Sequence, residues 1–155
     1  MTAHNSTHAT FTIERVYDAR PERVFKAFAD SKAKTLWFRG PAEWGEPDHR
    51  MDFRVGGHET SRGGPPGGVV HAFEARYWDI IPNERIVFSY EMYLGARQIS
   101  VSLSTVELAA EGRGTRLTFT EHGVFLDGYD DAGSREHGTA LGLDRLGETL
   151  KQRSA

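Results

Sequence analysis

Five stretches of this chain alternate apolar and polar residues, and the final stretch repeats at helical spacing; few folds satisfy both. Met51, Phe53 and Val55 alternate with Asp52 and Arg54, and Val69, His71, Phe73, Ala75 and Tyr77 stand opposite Glu74 and Arg76. Ile86, Phe88, Tyr90 and Met92 form a third row, Ile99, Val101 and Leu103 a fourth, and Leu117 and Phe119 a fifth. A period of two puts each row on one face of a strand, so the rows predict an antiparallel sheet with one wet face. Pro82-Asn83-Glu84, Leu94-Gly95-Ala96 and residues 110–114 separate successive rows by hairpin-sized loops, which makes the meander sequential. Residues 56–68 hold six of the 17 glycines and two of the 6 prolines, and read as a long mobile hairpin loop.

Ahead of this meander, Phe11, Ile13 and Val16 predict a strand over Ala9–Tyr17 that slips parity once near Arg15, after an unstructured polar start at residues 1–8. Arg20-Pro21-Glu22 suits a first helical turn, and Val24, Phe25 and Phe28 continue it to Ala29. Asp30-Ser31 caps a second short helix, Lys32 to Phe38. The closing helix runs from about Ser134 to Arg153, with Ala140, Leu143, Leu146, Gly147 and Leu150 on its apolar side. Arg135, Glu136, Asp144, Arg145, Glu148 and Lys151 are expected to face water. Gly138, Gly142 and Gly147 each cost a helix about 1 kcal/mol relative to alanine. Close approach to the sheet, or a ligand, would account for them.

At 155 residues with 38% hydrophobic content, the chain can bury one core as a single domain over residues 9–155. A net charge of -3 gives no polyanion-binding surface, which argues against nucleic acid as a partner. With Cys 0 there is no disulfide, no zinc-thiolate cluster and no cysteine nucleophile. No apolar run reaches membrane-spanning length and the start lacks a signal-peptide pattern, so a cytoplasmic protein without membrane contact is expected. Neither a metal site nor a cofactor motif emerges: His58-Glu59 lacks a second histidine, the paired glycines open no helix, and Asp127, Asp130 and Asp131 lack the rest of a calcium loop.

One strand, two short helices, a meander and a long final helix predict an α+β fold in which a curved antiparallel sheet of six or seven strands wraps round that helix. The motifs 20–28 leading to Trp37, 52–57, 81–88, 114–121 and 143–146 occur in an order that resembles the helix-grip fold of the START-like superfamily. Within it they resemble the family related to the activator of the ninety-kilodalton heat-shock chaperone's ATPase. The resemblance implies an apolar cavity between sheet and helix; superfamily members include lipid carriers, aromatic polyketide cyclases and chaperone-binding domains.

If the closing helix covers the apolar face, the cavity wall is expected to include Trp37, Trp44, Phe53, His71, Phe73, Phe88, Tyr90, Met92, Val101, Phe119, Glu121, His137 and Leu141. Packed aromatic rings would leave no void, so the wall and the cavity are separate expectations. His71 and Tyr90 need hydrogen-bond partners when buried, and Glu121, on the parity of Leu117 and Phe119, is the candidate. Ser100, Ser102 and Ser104 are expected to face solvent. The first functional reading is a binding protein for a small apolar or aromatic molecule, gated by residues 56–68 and the acidic loop near Tyr129. The second is a cyclase-like or dehydratase-like enzyme with His71, Tyr90 or Glu121 as acid and base. A third, implied by the family alone, is contact with a chaperone. The chain is expected to act as a monomer or homodimer without a companion domain.

Overall fold

In the computed structural model, which describes residues 4–152, the alternating rows become neighbours in one sheet. β1 (Ser6–Tyr17) precedes α1 (Pro21–Ala29) and α2 (Ser31–Thr35). A 3-10 turn at Ala42–Trp44 leads to β2 (Asp48–Met51), β3 (His58–Gly63), β4 (His71–Ile81), β5 (Arg85–Leu94), β6 (Arg97–Glu111) and β7 (Gly114–Leu126). The closing helix is α3 (Ala132–Gln152). The seven antiparallel strands lie in the order β1-β7-β6-β5-β4-β3-β2. Strands β2 to β7 form the expected meander, and β1 joins its far edge by pairing with β7. The curved sheet and its C-terminal helix constitute the α+β helix-grip fold. No helix of the described residues is long and apolar enough to cross a membrane.

Local chemistry sets the helix boundaries. Pro21 opens α1, where its missing N–H costs nothing, and Asp30 ends it by accepting a hydrogen bond from Ala33 N (3.0 Å) that starts α2. Asp131 similarly accepts from Ser134 N (2.8 Å) in the first turn of α3. Leu143, Leu146 and Leu150 then bury the C-terminal half of α3 against Tyr17, Val24, Phe28 and Leu117 in one core. The Tyr17 hydroxyl donates to Leu143 O (2.7 Å), pinning the helix to β1. A Cβ on Gly147 would stand 3.1 Å from the Tyr17 ring, so this helix glycine answers to close approach.

Several boundaries differ from expectation for physical reasons. β1 begins at Ser6 because Ser6–His8 pair with Val124–Leu126, and Asn5 exchanges backbone and side-chain hydrogen bonds with Asp127. The expectations for residues 1–3 and for a helix end at Arg153 lie outside the described residues. Parity does not slip in β1: Val16 is exposed, and Arg15 takes the position facing α3, where it reaches Asp144 (2.7 Å). α2 stops at Thr35, short of Phe38.

The row Met51, Phe53, Val55 does not form a strand. β2 stops at Met51, and residues 52–57 turn back through the bonds Arg54 N to Asp52 O and Gly57 N to Arg54 O. Gly57 is required there, because a Cβ would overlap Asp52 O. The following segment is no mobile loop over its first half: β3 pairs with both β2 and β4, its breakers standing at the two ends. Val69 precedes β4 and is exposed. In β6 the apolar row is inverted. Ile99 is an extra residue between the pairs Met92–Ser100 and Tyr93–Gln98, and this bulge sends Val101 and Leu103 outward. Ser100, Ser102 and Ser104, expected in solvent, are buried on the inner face with Val106 and Leu108.

Candidate functional site

Along α3 the residues that face the sheet change character halfway. Leu143, Leu146 and Leu150 fill the space beneath the C-terminal half, whereas Ser134, Arg135, Gly138, Thr139 and Gly142 line a cavity beneath the N-terminal half. Its volume is about 360 Å³, within the range of small-molecule sites. A Cβ on Gly138 would meet no atom within 4 Å, and one on Gly142 would only touch the Trp37 ring at 3.8 Å. The first of these glycines therefore borders open space rather than a tight contact.

The opposing walls are aromatic. Trp37, Phe38, Trp44, Phe73, Phe88, Tyr90 and Phe119 line the cavity with Met92 and His71. Ring contacts order them: Trp37 meets Phe28 and Phe38 edge-on at 4.9 and 5.9 Å, Phe38 meets Phe73 at 4.8 Å, and Phe73 meets Tyr90 at 4.8 Å. Trp37 Nε1 donates to Ala27 O (2.9 Å), which fixes the indole as a wall.

Polar groups converge at the end beneath the first turn of α3. The Tyr90 hydroxyl donates to Glu121 Oε2 (2.8 Å), and Ser104 Oγ donates to Glu121 Oε1 (3.0 Å). Arg135 Nη1 donates to the Tyr90 oxygen (2.8 Å) and stands 3.6 Å from Glu121. Its Nη2 donates to Ser100 Oγ (2.7 Å) and Asp130 Oδ2 (3.0 Å). Burial, with Glu121 beside it, pushes ionisation of Tyr90 well above the usual phenol range. Burial pulls the Arg135 guanidinium down, but Tyr90, Glu121 and Asp130 together outweigh it and hold the group charged.

A second polar cluster lies under α2. Glu59 Oε1 accepts from Lys34 Nζ (2.7 Å) and from the Tyr77 hydroxyl (2.5 Å), and its Oε2 meets His49 Nε2 at 2.7 Å. Burial raises the Glu59 pKa, but the Lys34 charge and the hydrogen bonds from His49, Lys34 and Tyr77 outweigh it, lowering the value to about 2. Lys34 also lines the cavity and lies over the Phe38 ring at 4.8 Å.

The expected wall is brought together in large part: Trp37, Trp44, His71, Phe73, Phe88, Tyr90, Met92, Phe119 and Glu121 all line the cavity. Within the acid–base trio only Tyr90 and Glu121 meet; His71 instead stacks on Trp44 at 4.7 Å. Four expected members are elsewhere. Phe53 packs between Phe25 and Tyr77, Val101 is turned outward by the bulge, and His137 and Leu141 occupy the exposed side of α3. Arg135 and Arg145, expected in water, are cavity residues, as is Lys34. Helical spacing carried a signal for the arginines, since positions 135, 138, 142 and 145 share one stripe.

A curved antiparallel sheet gripping a long C-terminal helix defines a START-like, helix-grip protein. The chain belongs to the Activator of Hsp90 ATPase homolog 1-like family, whose profile matches residues 18–153. Its fold is shared with an uncharacterised protein from Rhizobium leguminosarum, 46% identical over 98% of this chain and 100% of that one, with a TM-score of 0.93. The Mll3558 protein from Rhizobium loti is 48% identical over 93% of this chain and 98% of its own, with a TM-score of 0.86. Protein CV1439 from Chromobacterium violaceum is 27% identical over 90% and 95% of the two chains, with a TM-score of 0.76. No curated protein matches the chain.

Proposed function

We propose that this protein binds a small apolar or aromatic molecule in the cavity beneath the N-terminal half of α3. The observation that carries the reading is the aromatic-walled cavity of about 360 Å³, which Gly138 borders on its open side. A glycine inside a helix costs about 1 kcal/mol relative to alanine, and no neighbouring atom requires it here. A ligand lying against the helix gives that position a purpose, with aromatic rings as walls and the Tyr90–Glu121–Arg135 group as the polar end. The test is native mass spectrometry of freshly purified protein, then denaturing extraction. An additional mass that leaves on unfolding, with an aromatic or apolar compound in the extract, is the expected result. A bare protein mass, together with no binding of 2-naphthol in calorimetry, would end this reading.

The Tyr90–Glu121 contact favours a second reading, acid–base catalysis of the cyclase or dehydratase kind. Because Tyr90 resists ionisation, Glu121 is the base in that scheme and Tyr90 the donor that holds it. Turnover of a bound carbonyl compound that Glu121→Gln abolishes, with its binding retained, would support catalysis over simple binding.

A further inference from the structure

We infer that the ligand carries an anionic group, a carboxylate on an apolar or aromatic body, and that Arg145 receives it; this rests on the cavity reading above. Four permanently or ordinarily cationic side chains line the cavity: Lys34, Arg39, Arg135 and Arg145. Three of them have acidic partners. Lys34 meets Glu59 at 2.7 Å, Arg135 meets Asp130 at 3.0 Å, and Arg39 meets the exposed Glu46 at 3.2 Å. Arg145 has no acidic partner among the described residues. Its Nη1 donates to the carbonyls of Trp37 (2.9 Å) and Arg39 (2.7 Å). Those bonds orient the guanidinium without neutralising it, and they leave Nε and Nη2 without a hydrogen bond among the described residues.

A half-buried guanidinium without a counter-ion carries an unrecovered desolvation cost, and the same group in an apolar wall is a strong receptor for a carboxylate. Its place in the fold gives the ligand a direction. Arg145 lies ten residues along α3 from Arg135, about 15 Å of helix, and both line the same cavity. The far end sets two carboxylates, Glu121 and Asp130, against the one guanidinium of Arg135, so its formal charge is negative and disfavours an anion. The near end holds Arg145, Arg39 and the rings of Trp37 and Trp44. The ligand's anionic group therefore sits against Arg145, and its body extends over Phe38, Phe73 and Phe88 towards Tyr90.

The test compares two probes of nearly equal shape, 2-naphthoate and neutral 2-naphthamide, by calorimetry on the whole chain. Wild-type protein is expected to bind the naphthoate at least about tenfold more tightly. Arg145→Gln should remove that preference while leaving naphthamide affinity within about twofold. Arg145→Lys, which keeps the charge and loses the planar fork, should retain a reduced preference; it carries the test if the glutamine variant does not fold. Equal affinity of the wild type for the two probes, or an unchanged naphthoate preference in a folded Arg145 variant, overturns the assignment and leaves the cavity reading intact. Failure of the wild type to bind either probe overturns both.

Discussion

Glu59 and Glu121 are each 1% exposed, yet one is locked and the other is available. Glu59 is ringed by Lys34, His49 and Tyr77, all within 2.7 Å, and Phe53 packs on Tyr77 to close the outer side. Glu121 is held by two hydroxyls, its nearest cation stands 3.6 Å away, and it borders a cavity. Burial alone therefore does not mark a site. A carboxylate whose surroundings are saturated braces the fold, and one whose partners also face empty space can take part in recognition.

Substitution at the two carboxylates should separate these roles most sharply. Glu59→Gln leaves the Lys34 ammonium buried without a counter-charge and is expected to cost about 3–5 kcal/mol in urea unfolding. Glu121→Gln keeps one acceptor oxygen for Tyr90 or Ser104, while its amide N–H can donate to the other hydroxyl, and should cost under about 2 kcal/mol. Equal losses would mean that the two carboxylates brace the fold alike. With a folded pKa of about 2 against an ordinary 4.5, Glu59 stabilises the fold fully above pH 4.5. That contribution, about 3 kcal/mol, is lost as pH falls through 4.5 towards 2. Acid titration of unfolding free energy should show this slope, and Glu59→Gln should flatten it.

The tyrosines provide a finer contrast. Tyr77→Phe removes a charge-assisted bond from a closed cluster and should cost about 2 kcal/mol, whereas Tyr90→Phe leaves Ser104 and Arg135 beside Glu121 and should cost about 1 kcal/mol. Smallest in stability and largest in binding is Gly138→Leu. The new side chain enters open space, so thermal unfolding should shift by no more than a few degrees while affinity for 2-naphthol drops at least about tenfold. Retained affinity would place the ligand elsewhere.

The same contrast explains what was legible in the sequence. Strand rows with uniform parity, such as Phe73, Ala75 and Tyr77 or Phe88 and Tyr90, announced both the sheet and most of the aromatic wall. Glu121 was legible because Leu117 and Phe119 set its parity. Glu59 was not, because its strand is six residues long between glycine-rich ends, and turn-forming composition outweighed a short alternation. In β6 the bulge at Ile99 reversed the reading; tracing back from Val106 and Leu108 assigns the serines correctly. On α3, charge suggested solvent for Arg135 and Arg145, but a cavity supplies polar partners that a packed core would not.

The crossover that seats β1 beside β7 gives folding a timetable. Tyr17 pairs with Thr115 and Ser6 with Leu126, so the first strand finds its partner only after everything from α1 to β6 has been synthesised. At about 5–20 residues per second, that wait lasts roughly 5–20 s. During it Phe11, Ile13 and Tyr17 have no sheet to cover them, although the meander beyond them can zip up locally, one hairpin at a time. Because α3 follows β7 in the chain, the bond from the Tyr17 hydroxyl to the Leu143 carbonyl can form only after the partner strand of β1 has been made.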